Sequence, residues 1–157
     1  MQFRTSRGDR GASQLRNDHK SSIPSQIDKI ISDSDIILEV LDSRFIEKTR
    51  NPELEDKVKK LGKLLIYIFN KSDLVDANML VANTDLRHLR PSLFLSTKNR
   101  KSAFNLKRFI KIEAKKLKQT YVKVGVVGYP NSGKSSLINL LVRRGAAKTS
   151  SEAGYTK

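Results

Sequence analysis

The sequence predicts an α/β fold built on a mainly parallel β-sheet with helices on both of its faces. Short, nearly continuous apolar runs alternate along the chain with longer amphipathic segments. That pattern is typical of strands buried on both faces and followed by covering helices. In addition, the run at residues 122–127 leads into a glycine-containing loop and then into a helical segment, which is the local order of a phosphate-binding unit.

The first half of the chain contributes two of the predicted strands. Isoleucines at helical spacing (Ile23, Ile27, Ile30 and Ile31) predict a short docking helix before the first strand. The helix that follows this strand has Pro52 in its first turn and acidic residues near its N-terminus, where the helix dipole favours them. The predicted order here is strand 35–41, helix 51–61, strand 63–69 and helix 76–89, which ends before Arg90-Pro91.

The second half repeats the alternation of strand and helix. An apolar run predicts a third strand, and the helix after it carries a broad apolar face that includes Leu106 and Phe109. The predicted order is strand 92–95, helix 102–118, strand 122–127 and a helix that begins over 134–142.

Composition limits the chemistry and indicates a polyanionic partner. Among 157 residues there is no cysteine and there are only two histidines, so cysteine catalysis, disulfides and Cys- or His-based metal centres are excluded. The net charge is +15, and no apolar run is long enough to span a membrane. We expect a cytoplasmic chain with a basic disordered arm over residues 1–22 and one domain over residues 23–157. The basic block 98–123 holds ten lysines and arginines against the single acid Glu113, which favours RNA, DNA or the ribosome as a partner.

Residues 128–135, G-Y-P-N-S-G-K-S, match the G-x-x-x-x-G-K-[ST] phosphate loop between a strand and a helix. The backbone N–H groups would surround phosphate oxygens, Lys134 would reach the β- and γ-phosphates, and the Ser135 hydroxyl would ligate Mg²⁺. An ordinary glycine-rich turn is the alternative. The predicted phosphate-binding residues are Asn131, Ser132, Gly133, Lys134, Ser135 and Ser136.

A second motif, N-K-S-D at residues 70–73, follows the apolar strand 63–69. The carboxylate of Asp73 could accept two hydrogen bonds, from N1–H and the exocyclic amine of guanine, a pattern that adenine does not offer. Asn70 and the stem of Lys71 would support the loop and pack on the ring. Ser96 and Thr97 follow the third strand and resemble the loop whose backbone N–H meets the guanine O6 in GTPases. Together the motifs predict a GTP- or GDP-binding module.

The base motif precedes the phosphate loop, an order inverted from that of ordinary GTPases. This order resembles the circularly permuted GTPases of the YlqF/YawG type, as do the D-I-I-L-E-V-L-D-S-R run ending at Arg44 and the segment 125–139. The resemblance implies a P-loop fold, GTP hydrolysis, and a role with ribosomal RNA and the large ribosomal subunit precursor. It also implies that Thr156 binds Mg²⁺. Asn131 either holds K⁺ or forms a loop-stabilising hydrogen bond, and Asp42 with Arg44 is either functional or a structural pair.

The same resemblance implies further strands and a D-x-P-G motif, and the sequence up to Lys157 does not contain them. On this ground we expect an incomplete domain with weakened nucleotide binding and poor or absent hydrolysis, and we assign no catalytic residue. The alternative function is a hydrolysis-inactive fragment that mainly binds RNA through its basic helix. A third interpretation is that this helix merely has a solvated face.

Overall fold

A four-stranded parallel sheet forms the centre of the molecule. The computed structural model describes residues 23–99 and 101–142. The strands are β1 (Ile36–Asp42), β2 (Leu64–Asn70), β3 (Ser92–Phe94) and β4 (Val124–Gly128), in the spatial order β3-β2-β1-β4. All neighbouring pairs are parallel. The last described strand of the chain therefore lies beside the first, as the inverted order of the motifs requires.

Six helices accompany these strands within the described residues. They are α1 (Ile23–Asp33), α2 (Ile46–Thr49), α3 (Pro52–Lys60), α4 (Ala77–Asn83), α5 (Lys101–Lys115) and α6 (Lys134–Val142), with a 3₁₀ turn at Ser72–Leu74. The short helix α2 and the 3₁₀ turn were not predicted. Helix α3 begins as its sequence indicates, because the side chain of Asn51 accepts a hydrogen bond from the backbone N–H of Leu54 and Pro52 occupies the first turn.

Two predicted helices end earlier in the structure. Helix α4 stops at Asn83 rather than at residue 89, because the carboxylate of Asp85 accepts the backbone N–H of Arg87 in a local turn. Leu89 is nevertheless fully buried, which explains why the apolar spacing resembled a helix. Helix α5 ends at Lys115, since the next backbone bonds tighten to three-residue spacing and Lys118 adopts a left-handed conformation.

The sheet is covered on both faces. On one face α1 and α3 pack against alternate strand residues in a core that includes Ile31, Val58 and Phe69. On the other face α5 and α6 contribute Leu106 and Leu137 to a second core with Ile66 and Ile68. Every residue of β1 is buried, as expected for a central parallel strand. None of the helices among the described residues is both long and apolar enough to cross a membrane.

The predicted basic arm over residues 1–22 and the predicted Mg²⁺ ligand Thr156 lie outside the described residues. The strands and the remaining helices agree with the predicted ones to within a few residues. The carboxyl ends of all four strands meet at one edge of the sheet, and this is the edge that holds the motifs.

Candidate nucleotide-binding site

The strand register aligns the loops that follow β1, β2 and β4. Asp42 pairs with Asn70 at the ends of β1 and β2, and Val40 pairs with Gly128 at the end of β4. In open parallel sheets, ligands bind in the crevice outside the carboxyl ends of the strands. The fold therefore places the phosphate loop directly beside the end of β1 and one strand away from the N-K-S-D loop.

The phosphate loop has a backbone that requires glycine at two positions. Gly128 has φ +154° and Gly133 has φ +100°. A Cβ atom on Gly128 would lie 2.5 Å from the carbonyl oxygen of Val40, and one on Gly133 would lie 2.1 Å from Nδ2 of Asn70. Between them, Asn131 adopts a left-handed φ of 62°, which Asn tolerates better than most residues. The loop thus lies close to the backbone of β1 and to Asn70 at the end of β2.

Helix α6 starts at Lys134, directly after this loop, so the positive end of the helix and its first N–H groups face the loop. The ammonium of Lys134 donates to the carbonyl oxygens of Gly128 and Tyr129, each at 2.9 Å. Burial lowers the pKa of Lys134. Ser135 is half-buried and Ser136 is exposed at the start of the helix. The predicted phosphate-binding residues are therefore brought together on one loop and one helix end.

Asn70 and Lys71 attach the base motif to the phosphate loop. Nδ2 of the buried Asn70 donates to the carbonyl oxygen of Ser132 at 2.9 Å, and Nζ of Lys71 donates to the carbonyl oxygen of Asn131 at 2.6 Å. Oδ1 of Asn70 and Oγ of Ser132 are buried and have no hydrogen-bond partner among the described residues. Buried polar atoms are normally satisfied, so these two atoms fit a site that takes a polar ligand.

Asp73, the last residue of the base motif, interacts with the loop that follows β3. A hydrogen bond from the Ser96 hydroxyl, and then one from Lys98, lowers the pKa of Asp73, and its carboxylate is 3.2 Å from Nζ of Lys98. These side chains line an open pocket of about 550 Å³, within the range of small-molecule sites. Ser102 and Asn105 of α5 also line it, and the sequence interpretation had not identified them. Thr97 is half-buried and is not part of this lining.

A larger groove of about 1020 Å³ lies along β3, between the segment after α4 and the outer half of α5. Its lining includes Arg90, Phe94 and Phe109, and it contains none of the predicted site residues. The chemistry of the motifs therefore identifies the site better than the size of the cavity does.

Two buried acidic residues, Glu39 in the middle of β1 and Glu55 on α3, form a cluster with Arg50 and Tyr67. Oε1 of Glu39 accepts the backbone N–H of Asn51 at 2.9 Å, whereas its Oε2 has no hydrogen-bond partner among the described residues. Burial raises the pKa of Glu39 to about 7. Next to it, Glu55 accepts two hydrogen bonds from Arg50 and one from the hydroxyl of Tyr67. The sequence analysis missed this cluster, although a glutamate in the middle of an apolar strand was its visible signal.

The described residues offer few side chains that could ligate a metal ion. No group of three or more acidic, histidine or cysteine side chains that could hold a metal ion occurs among residues 23–99 and 101–142. Mg²⁺ commonly takes most of its ligands from substrate phosphates and water. The Ser135 hydroxyl at the start of α6 fits that mode as a single protein ligand.

Comparisons with known proteins agree with this fold. A family described as 50S ribosome-binding GTPase matches residues 123–157. The chain is 46% identical over 131 residues to an uncharacterized GTP-binding protein of Methanocaldococcus jannaschii, covering 83% of this chain and 35% of that protein. It is 32% identical over 135 residues to the ribosome biogenesis GTPase A of Bacillus licheniformis, covering 78% of this chain and 46% of that protein.

Among solved structures, the GNP-bound YlqF from Thermotoga maritima superposes with a TM-score of 0.55 and 25% identity. The match covers 85% of this chain and 55% of the YlqF chain. The chain thus spans only about a quarter to a half of the length of the curated relatives it matches.

Proposed function

The chain is homologous to the YlqF-type ribosome biogenesis GTPases and has the fold of their circularly permuted GTPase domain, and from this premise we propose that it binds GTP and GDP. The observation that carries the proposal is the attachment of the base motif to the phosphate loop. Asn70 and Lys71 each donate a hydrogen bond to a carbonyl of residues 131–132. Base recognition and phosphate binding therefore belong to one continuous site.

The phosphates would bind at the loop that includes Asn131, Ser132 and Gly133 and at the start of α6. The N-terminus of α6 supplies N–H donors and a positive dipole end, and Lys134 adds a full positive charge. Ser135 would ligate Mg²⁺ together with phosphate oxygens, and the bound ion would neutralise charge on the phosphates. Ser136 would add a backbone or hydroxyl donor on the exposed side.

Asn131 could have two roles, and a comparison of hydrolysis rates in K⁺ and in Na⁺ separates them. Its left-handed backbone and the use of its carbonyl by Lys71 support a loop-stabilising role. Coordination of K⁺ by its side chain is the other role, and it predicts faster GTP hydrolysis in K⁺ than in Na⁺ by a longer form of the protein. Equal rates in the two salts would leave only the loop-stabilising role.

Guanine would be selected by Asp73, with Ser96 and Thr97 contributing backbone donors. Ser96 and Lys98 keep the Asp73 carboxylate ionised, and an ionised carboxylate is the acceptor that two guanine N–H groups require. Its position in the open pocket beside α5 leaves room for a planar ring.

Exchange of the base tests this assignment. We expect Asp73→Asn to weaken GDP binding about 100-fold or more and to allow xanthosine diphosphate to bind, because the amide can donate to the xanthine oxygen. Isothermal titration of the 157-residue chain with both nucleotides measures the change. Asp85→Asn, at an exposed aspartate in the loop after α4, is the matched control. Unchanged GDP affinity in Asp73→Asn would contradict the assignment.

Association with the large ribosomal subunit precursor completes the proposal, with GTP hydrolysis as the activity that the family implies. The relative from Bacillus licheniformis is a ribosome biogenesis GTPase and the matching family is described as 50S ribosome-binding, which supports a ribosomal role. Cytoplasmic location is the simplest expectation for that role. Cosedimentation of the chain with ribosomal precursor particles, with and without GTP, measures the association. Absence of the chain from those particles under both conditions would contradict the ribosomal role.

RNA binding through α5 is the second candidate function. The outer face of this helix exposes a row of cations, and Phe104 among them is 70% exposed. The one acid of the helix, Glu113, is buried and paired with Lys116. Cations can neutralise phosphates, and an exposed aromatic ring can stack on an unpaired base. The exposed cations are Lys101, Lys107, Arg108, Lys111 and Lys115.

Binding of a ribosomal RNA fragment at several salt concentrations tests this second candidate. We expect affinity for RNA to fall steeply as the salt concentration rises. The slope of log affinity against log salt concentration should decrease in magnitude by about one for each of Lys107, Lys111 and Lys115 changed to Gln. Changing Lys57, Lys59 and Lys60 of α3 to Gln is the matched control on another helix. Equal losses from both triple variants would contradict a specific surface on α5 and favour a merely solvated face.

A further inference from the structure

The carboxylate of Asp42, at the end of β1, is held by two cations. Its Oδ1 accepts the backbone N–H and Nε of Arg44, each at 3.0 Å, and its Oδ2 accepts Nη2 of Arg44 at 2.7 Å. The same Oδ2 accepts Nζ of Lys71 at 2.8 Å. Asp42 is only 5% exposed. The hydrogen bonds from Arg44, followed by that from Lys71, keep the pKa of Asp42 far below its usual range.

The ammonium of Lys71 joins three parts of the site. It contacts the end of β1 through Asp42 and the phosphate loop through the carbonyl oxygen of Asn131, while its backbone belongs to the base motif. Lys71 itself has a left-handed φ of 61°, a conformation that a long side chain rarely adopts. The side chain is retained at Asp42 by the opposite charges of the two groups.

The two partners of Lys71 differ in strength and in rigidity. The carbonyl of Asn131 is a neutral acceptor on a loop, whereas Asp42 is an ionised acceptor on the central, fully buried strand. Both bonds are charge-assisted because the donor is an ammonium, but only the bond to Asp42 joins two opposite full charges. The ammonium of a lysine lies at the end of a flexible four-carbon stem, so the side chain's own geometry does not fix its position. Asp42 is consequently the group that determines where the ammonium lies.

We propose that Asp42 is a positioning residue that holds Lys71 in the conformation used to bind a guanine nucleotide, and thereby sets the rate at which the nucleotide is released. This inference rests on the proposed function, since it assigns the role of Lys71 to nucleotide binding. Arg44 takes a different part. Its side chain is 40% exposed and also lies over the ring of Phe45, and its side-chain hydrogen bonds within the described residues go to Asp42.

A double-mutant cycle on nucleotide release tests the proposal. The rate of release of a fluorescent GDP analogue from the 157-residue chain is measured for wild type, Asp42→Asn, Lys71→Met and the double variant. Asn keeps the shape of Asp42 and Met keeps the stem of Lys71, so each change removes mainly a charge. We expect each single variant to release the analogue about tenfold faster, and the double variant to match Lys71→Met alone.

The surface offers a matched control with the same local chemistry. Asp85 accepts the backbone N–H, Nε and Nη2 of Arg87 in the same Asp-x-Arg arrangement, but no lysine of the described residues pairs with it. Asp85→Asn is therefore expected to release the analogue at the wild-type rate. A charge-retaining variant, Asp42→Glu, moves the carboxylate by one methylene and is expected to give an intermediate rate, and it remains informative if Asp42→Asn does not fold.

Each outcome bears on one conclusion. Wild-type rates in both Asp42→Asn and Asp42→Glu would overturn the positioning role. So would an acceleration by Asp42→Asn that is equally large in the Lys71→Met background, because Asp42 would then act on general stability rather than through Lys71. If wild type binds no guanine nucleotide at all, the proposed function itself fails and this inference falls with it.

Discussion

Replacement of Glu39 by Gln removes a charge from the centre of the sheet without changing the shape of the side chain. Glu39 lies on the central strand β1 and is 1% exposed. Only Oε1 is satisfied among the described residues, by the backbone N–H of Asn51. Glu55 faces it with a second negative charge, and Arg50 and Lys59 supply positive ones. A neutral Gln retains the acceptor for Asn51 and has no charge to bury.

The magnitude follows from the pKa of Glu39. Burial raises this pKa from 4.5 to about 7, so the folded protein binds the proton more tightly than the unfolded chain does. The contribution of this group to stability is therefore fully present below pH 4.5 and is lost as the pH rises through 7. The difference between the two pKa values corresponds to about 3 kcal/mol. Unfolding free energies of wild type and Glu39→Gln should thus diverge by about 3 kcal/mol between pH 4.5 and pH 8.

Urea unfolding followed by far-ultraviolet circular dichroism measures both proteins at each pH. Subtraction of one curve from the other cancels the pH dependence of every group the two proteins share. Glu53→Gln, at an exposed position on α3, is the matched control and should follow wild type at all pH values. A difference in unfolding free energy between Glu39→Gln and wild type that stays constant from pH 4.5 to pH 8 would refute the reasoning. Ionisation of Glu39 would then not destabilise the folded protein.

Three further substitutions test the packing around the site. Gly133→Ala places a Cβ atom 2.1 Å from Nδ2 of Asn70 at a φ of +100°. We therefore expect calorimetry to show loss of GDP binding, and the free energy of unfolding to fall by more than about 1 kcal/mol. GDP binding as in wild type would contradict the loop geometry. Tyr67→Phe removes the donor to Glu55 and should cost about 1–2 kcal/mol in urea unfolding, whereas a neutral effect would show that Arg50 alone satisfies Glu55. Leu137→Ala in α6, at a fully buried site, should cost about 2–5 kcal/mol by the same assay, and a cost below 1 kcal/mol would contradict the packing of α6 on the sheet.

Local chemistry made most of the fold predictable from sequence. The four strands were visible as apolar runs because a central parallel strand is buried on both faces. The phosphate loop was visible because its backbone needs glycine at positions 128 and 133, and the start of α3 because Asn51 and Pro52 favour a helix N-terminus. The end of α4 was predicted too late, since the spacing of apolar residues does not reveal that Asp85 closes a turn with Arg87.

The sequence by itself determined the class of the fold, the order of its elements and the identity of the motifs, because these depend on residues that are neighbours in the chain. Only the tertiary structure decided how distant residues combine. Lys71 meets Asn131 across 60 positions and Asp42 across 29, and Glu39 meets Asn51 across 12. Such contacts depend on strand order and register, which bring the ends of β1, β2 and β4 to one edge of the sheet. For this reason the sequence left open whether Asp42 and Arg44 are functional or a structural pair. In the structure Asp42 is the carboxylate that binds the lysine of the base motif.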